Sequence, residues 1–469
     1  MTGYYVRRRG AHTVSPMNTR RVVRSLAIAF IGYSLGASAA EPPAVPSAAP
    51  AAQATDPKVL VLELQKEVAQ LRGLPFKRDV TAAVQSQEGF AAYLDEQIGE
   101  AVPEVLNSHY GAIVKRLGLY RGTIENFGDT AKAVMSSQAA AYYDPRKQTF
   151  YMLMPDVPEM MVGMLYSHEL YHGLQDQYFG LENYLPMKGK DSLVLNSDQA
   201  MARQAVVEGE ATYIMSMYMV KSMAHQEPTR ELMGPIVQMQ SQMDMEQLKA
   251  LMKLPEASKL TGGSVSDALE ASESIPSFIM ESMLGVYMKG MGFVFAVQEQ
   301  GWSEVEKLYT EYPPQSTEQI LHPEKWRARE GASDFEFPAL AKVPALQDWE
   351  LLDTDVIGEF RWRVIFKEQG LRSEAETAAA GWDGDRYVIF KRKDSDATLM
   401  LLSTSWDSAA QAEEFASVYG HLLARKYADA PESTRVVQKK ENVYIVEGGN
   451  EKDAKALLKA VMSSKKTKA

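Results

Sequence analysis

Ser167-His168-Glu169-Leu170-Tyr171-His172 sets two histidines four residues apart, with a glutamate directly after the first. On a helix, residues four apart lie on one face, so both imidazoles can reach one ion. Glu169 stands one position on, about 100° around the axis, beside that face rather than on it. There its carboxylate can take a proton from a water held at the metal. Zinc accepts imidazole and carboxylate ligands, and a catalytic zinc keeps one position open. The flanks support a helix. Val157 to Phe179 is apolar on most sides, as in a buried helix. Asp156 and Glu159 have capping-box spacing, Pro158 suits a first turn, and Gly180 suits a stop. Two histidines and a glutamate on such a helix are costly to bury unless something pairs with them. Two ordinary, satisfied core histidines are the competing reading.

A third ligand is expected from a later helix, about Ser197 to Met223, which contains Val207-Glu208-Gly209-Glu210-Ala211-Thr212. Glu208 and Glu210 lie about 200° apart, so only one can face the ion. The face of Glu208 also carries Ala205, Gly209 and Thr212, small residues that would let this helix approach the histidine helix. Glycine in a helix interior costs roughly 1 kcal/mol against alanine, so Gly209 implies close packing. Glu208 is therefore the expected ligand, and Glu210 a solvated carboxylate or a second-layer partner. Gln175 and Asp176, three and four residues after His172, could orient its imidazole or form a polar helix end.

These motifs resemble the gluzincin metallopeptidases, the broad group that includes thermolysin and the aminopeptidases with a terminal NEGxA motif. The chain is more closely similar to a set of uncharacterised secreted bacterial proteins carrying HELxHxLQDQxF and a VEGEAT-type helix. Here those stretches are His168 to Phe179 and Val207 to Thr212, and Pro314–Pro323 and Gly381–Arg386 look similar as well. The resemblance implies a zincin-like core in which Zn²⁺ is held by His168, His172 and Glu208, with Glu169 as base. Thermolysin-type ligand helices carry Asp four residues after their Glu, where this chain has Thr212. Gluzincins also use a downstream Tyr or His to stabilise the oxyanion, which makes Tyr309, Tyr312 and His322 candidates. Upstream, Ala140–Tyr143 and Phe150–Met154 flank Asp144-Pro145-Arg146-Lys147-Gln148 and read as a hairpin. Its second strand could bind an extended substrate by β-augmentation, or be an ordinary buried strand.

Composition bounds the rest. The chain has 469 residues and a formal net charge of −11, which argues against nucleic acid as a partner. It has no cysteine, so disulfides, thiolate nucleophiles and Cys-bound metal are excluded. Arg20, Arg21 and Arg24, the apolar Leu26–Gly36 and Ala37-Ser38-Ala39 form a signal-peptide pattern over 1–40, which implies a periplasmic or extracellular protein. A Pro/Ala-rich linker follows at 41–56. No later run of about 20 apolar residues suggests stable membrane insertion. The 25 methionines include Met233, Met239, Met243, Met245 and Met252, whose helical spacing fits packing rather than copper. Phe335 to Ala345 reads as an inter-domain linker. The expected fold class is α+β: a zincin-like core at 57–340, with a small sheet, an active-site helix and a largely helical second half, then an accessory α+β domain at 346–469 that folds separately and binds no metal. The expected function is an exported zinc peptidase acting on a peptide or protein. The alternatives are a metallohydrolase of a non-peptide envelope substrate and a catalytically silent scaffold of the same fold.

Overall fold

The computed structural model describes residues 57–101, 107–124, 126–138, 141–153, 159–186, 195–252, 275–429 and 431–468. The expected signal peptide and linker lie outside them, as do Asp156 and Pro158. The chain is α+β. Its first part comprises α1 (Pro57–Arg72), β1 (Thr81–Val84), α2 (Gln87–Ala101), α3 (Tyr110–Leu117), α4 (Phe127–Gln138), β2 (Ala141–Asp144), β3 (Thr149–Met152), α5 (Glu159–Phe179), α6 (Ser197–Met223), α7 (Arg230–Gln242), α8 (Met245–Met252) and α9 (Ser277–Gln298).

The hairpin forms where the turn chemistry set it. The Asp144 carboxylate accepts the backbone N–H groups of Arg146 and Lys147, and Gln148 takes a φ of 52°. Its sheet has the order β1-β3-β2, with β1 parallel to β3 and β2 antiparallel. This corrects the docking role offered to Phe150–Met154. Both edges of β3 are taken, so it cannot receive a substrate strand; the edge strands are β1 and β2, and the four residues of β2 are buried. Met154 lies outside the described residues.

Helix α5 carries the HExxH residues and ends at Gly180, which has a φ of 65° and donates its N–H to the Asp176 carbonyl. Helix α6 starts at a capping box in which Asn196 and Gln199 satisfy each other's backbone N–H. The small residues of α6 do not face α5 as expected. A Cβ on Gly209 would lie 2.1 Å from the carbonyl carbon of Gly290, and one on Gly290 would lie 2.0 Å from the carbonyl oxygen of Ala205. The close backbone approach is therefore to α9. Helix α9 is long and apolar enough to cross a membrane by length and composition alone, yet most of it is buried within the protein.

The second part comprises β4 (Ser333–Glu336), β5 (Trp349–Asp355), α10 (Glu359–Glu368), β6 (Trp382–Arg392), β7 (Thr398–Trp406), α11 (Ala409–Lys426), β8 (Thr434–Lys439), β9 (Asn442–Glu447), α12 (Glu451–Met462) and β10 (Lys465–Lys468). The sheet runs β10-β4-β6-β7-β9-β8, and β5 also pairs with β6. One expectation changes. Phe335 belongs to β4 and is buried, so the linker begins after Glu336. The described chain closes on a strand, β10, because β4 offers a free partner edge.

The two parts share a core. One apolar cluster joins Ile113, Val114, Phe278 and Met283 to Trp362, Trp382, Phe415 and Ile445. Buried polar ties add to it. The Arg116 guanidinium donates to the Thr398 carbonyl at 2.7 Å, and the Ser197 hydroxyl donates to Asp355. Asp385 accepts both Trp362 Nε1 at 3.0 Å and Trp382 Nε1 at 2.7 Å, and burial pushes its carboxyl up to about 6. The Lys325 ammonium sits among Glu318, Glu330 and Asp407.

Candidate metal centre

Helix α5 turns His168 and His172 toward α6, and Glu208 meets them. Nε2 of His168 lies 3.2 Å from Nε2 of His172 and 3.2 Å from Oε2 of Glu208. Nε2 of His172 lies 3.4 Å from the same carboxylate oxygen. One ring nitrogen from each histidine and one carboxylate oxygen thus form a near-equilateral triangle. A tetrahedral ion with bonds of about 2.0–2.1 Å has ligand–ligand edges of about 3.3–3.4 Å, so the triangle fits such an ion. The side chains are 0–1% exposed, and Nδ1 of His168 and Oε1 of Glu208 have no hydrogen-bond partner. An ion in the triangle would engage Nε2 and Oε2 and lie beside Oε1 of Glu208, whereas Nδ1 of His168 is on the far side of its ring and needs a different partner.

Electrostatics point the same way. Burial pushes the His168 imidazole down. Burial also acts to lower His172, but the Glu208 carboxylate overrides it and raises the imidazole. Burial acts to raise Glu208, and the two imidazoles hold it below the ordinary range. A proton on His172 is what a divalent cation would replace.

Glu169 lies beside the triangle. Its carboxylate and the two imidazoles each offer an atom within 4.8 Å of the others. Its Oε2 accepts the backbone N–H of Tyr143 on β2 at 3.1 Å. The spacing of His168, Glu169 and His172 thus gathers all three side chains at one place, and Glu208 joins them from α6.

The neighbours sort as follows. Gln175 Oε1 lies 2.8 Å from Nδ1 of His172. Asp176 instead accepts the Tyr143 hydroxyl at 3.0 Å and the Leu181 N–H at 3.0 Å, a polar helix end. Thr212 donates to the Glu208 carbonyl of its own helix. Glu210 is not solvated: it is buried, bound by Arg72, Gln175 and Tyr309. The three oxyanion candidates are engaged elsewhere. Tyr309 donates to Glu210, Tyr312 is 42% exposed under the Arg329 guanidinium, and His322 Nε2 pairs with Glu359 at 3.1 Å. A phenol that does stand against a candidate ligand is Tyr287 on α9, whose ring stacks on His168 with centroids 5.8 Å apart. Its signal in the sequence was weak: one tyrosine in a long apolar helix. A hollow of about 770 Å³ lined by Asn196, Phe335, Trp349, Leu351 and Arg386 touches none of the four site residues.

Residues 349–458 match a family model described as a domain of unknown function, DUF8575. The match covers most of the second sheet and none of the candidate centre. No curated protein and no solved structure matches the chain.

Proposed function

We propose that the protein is a zinc-dependent hydrolase, of gluzincin type with a zincin-like core, that cleaves peptide bonds. The carrying observation is the buried triangle of His168 Nε2, His172 Nε2 and Glu208 Oε2 with Glu169 at its side. Zn²⁺ bound there would act as a Lewis acid, lowering the pKa of water and polarising a carbonyl. The chain's own residues do the rest. His168, His172 and Glu208 hold the ion. Glu169 accepts a proton from the attacking water and can return it to the leaving amine. Its tie to Tyr143 keeps the carboxylate aimed at that place. An oxyanion donor is proposed from a phenol at His168, and Tyr287, whose ring stacks on that imidazole, is the one to test. The substrate is a peptide or protein, and export under the 1–40 segment belongs to the same proposal. Residues 346–469 are proposed as an accessory unit that braces α6 from its N-terminal end, through Asp355 and Ser197.

The burial of all four side chains favours one second reading, a scaffold that keeps its metal without turnover. One experiment separates the two. Zinc content is measured on the purified chain, and a peptide library is offered to wild type and Glu169→Gln. Turnover lost in the variant with zinc retained supports the peptidase. A zinc-loaded wild type that cleaves nothing moves the assignment to the scaffold.

A further inference from the structure

A buried chain of hydrogen bonds runs from His172 to the first described helix. The Gln175 amide nitrogen faces the Val207 carbonyl at 3.0 Å, the Tyr309 hydroxyl at 2.8 Å and Glu210 Oε2 at 3.3 Å. Rotated by a half-turn, the amide would set its oxygen against a carbonyl and a carboxylate, lone pair against lone pair. Only one orientation works. In it Oε1 of Gln175 accepts, so Nδ1 of His172 donates across their 2.8 Å contact. Nε2 of His172 is then the ring nitrogen that faces His168 and Glu208, and it can take an ion once it gives up any proton. Tyr309 closes the circuit: it accepts from Gln175 and donates its own proton to Glu210 at 2.6 Å. Glu210 also accepts Nε of Arg72 at 2.9 Å, and that guanidinium lies 4.2 Å from the centre of the Trp302 ring. Arg72, Gln175 and Glu210 are at most 1% exposed and Tyr309 is 7% exposed, so bulk water cannot take over a missing partner.

We propose that Arg72, Glu210, Tyr309 and Gln175 form a positioning relay that fixes the tautomer of His172, so that docking of α1 completes the metal centre. The inference rests on the metal reading above. It assigns α1 a task that its sequence does not advertise: the last residue of that helix supplies the charge that holds the relay. Removing that charge leaves a buried carboxylate without its counter-ion, and the cost is relieved by re-pairing that frees the Gln175 amide.

The test uses the full chain stripped of metal, with zinc titrated against a chromogenic chelator and Co²⁺ absorption as a probe of ligand geometry. Arg72→Met and Gln175→Met are expected to weaken zinc binding by about 10–100-fold and to shift the Co²⁺ bands. Arg72→Met combined with Glu210→Gln is expected to bind zinc more tightly than Arg72→Met alone. Circular dichroism melts establish that each variant is folded. Should Arg72→Met not fold, Gln175→Met, which changes no charge, carries the test. Folded variants that bind zinc and Co²⁺ as wild type does would overturn the relay and leave the metal reading standing, and so would a double variant no better than the single. A wild type that takes up no metal overturns both. A wild type that binds metal but cleaves no peptide overturns only the peptidase reading.

Discussion

The backbone N–H of Tyr143 donates to Oε2 of Glu169 across 3.1 Å, which ties the buried edge strand β2 to the carboxylate beside the two ring nitrogens. Glutamine at 169 can keep that bond through its amide oxygen while losing basicity. Glu169→Gln is therefore expected to fold and bind zinc as wild type does, with peptide turnover down by about 10²–10⁴-fold. Equal turnover by the two proteins would remove Glu169 from the chemistry.

Each corner of the triangle is expected to be necessary for the metal. His168→Ala and Glu208→Ala should lose stoichiometric zinc, because two remaining ligands cannot close the site. Metal analysis after dialysis checks this, and a fully loaded His168→Ala protein would place the ion elsewhere.

Tyr287→Phe removes one hydroxyl and keeps the ring on His168. The expected result is unchanged zinc content with kcat lowered by about 10²–10³-fold, the range for loss of an oxyanion donor. A variant with wild-type kcat would return the search for that donor to other groups.

Helix α6 meets α9 backbone to backbone at Gly209 and Gly290, so neither helix can yield to a new methyl group. Gly209→Ala is expected to cost about 1–3 kcal/mol of stability, the usual range for overpacking, and to loosen zinc through Glu208 next door. Thermal unfolding with and without zinc measures both effects. A variant as stable as wild type would mean that the helices can part freely.

Asp198 is almost wholly buried, and burial pushes its carboxyl up to about 7 against the two hydrogen bonds from Thr317. Its unfolded value is about 3.9. The folded state thus favours the protonated acid. The resulting contribution to stability is complete below about pH 4 and is lost as pH rises through about 7. Urea midpoints of metal-free wild type should therefore fall more between pH 5 and pH 8 than those of Asp198→Asn. Parallel falls would show that Asp198 does not titrate in that window.

The site was more legible in the sequence than its surroundings. The i, i+4 histidines and the adjacent glutamate are a local pattern, and helix geometry alone brings them together. Glu208 was chosen over Glu210 for the small face it shares with Ala205 and Gly209; it does meet the imidazoles, although that face packs on α9. What Gly209 packs against was not legible, since a small face names no partner, and α9 rather than α5 fills it. Strands β4 and β10 escaped for a similar reason. Ser333–Glu336 and Lys465–Lys468 are short and carry no clear alternation, and their pairing spans more than a hundred residues. The extended 335–345 linker failed at Phe335, whose burial in the second sheet no local signal announces. The expectation that 346–469 folds alone rested on that linker. The shared core and the Arg116–Thr398 and Ser197–Asp355 ties imply that the excised fragment would uncover much apolar surface.

Burial of the triangle also bears on time. With His168, His172 and Glu208 at most 1% exposed, the protein side of a seated ion is shut to solvent, and these ligands can let go of it only when α5 and α6 part. Release then proceeds at the rate of a local opening rather than at the rate of collision. Above a modest chelator concentration, the exchange rate would stop rising and report the breathing of the two helices directly.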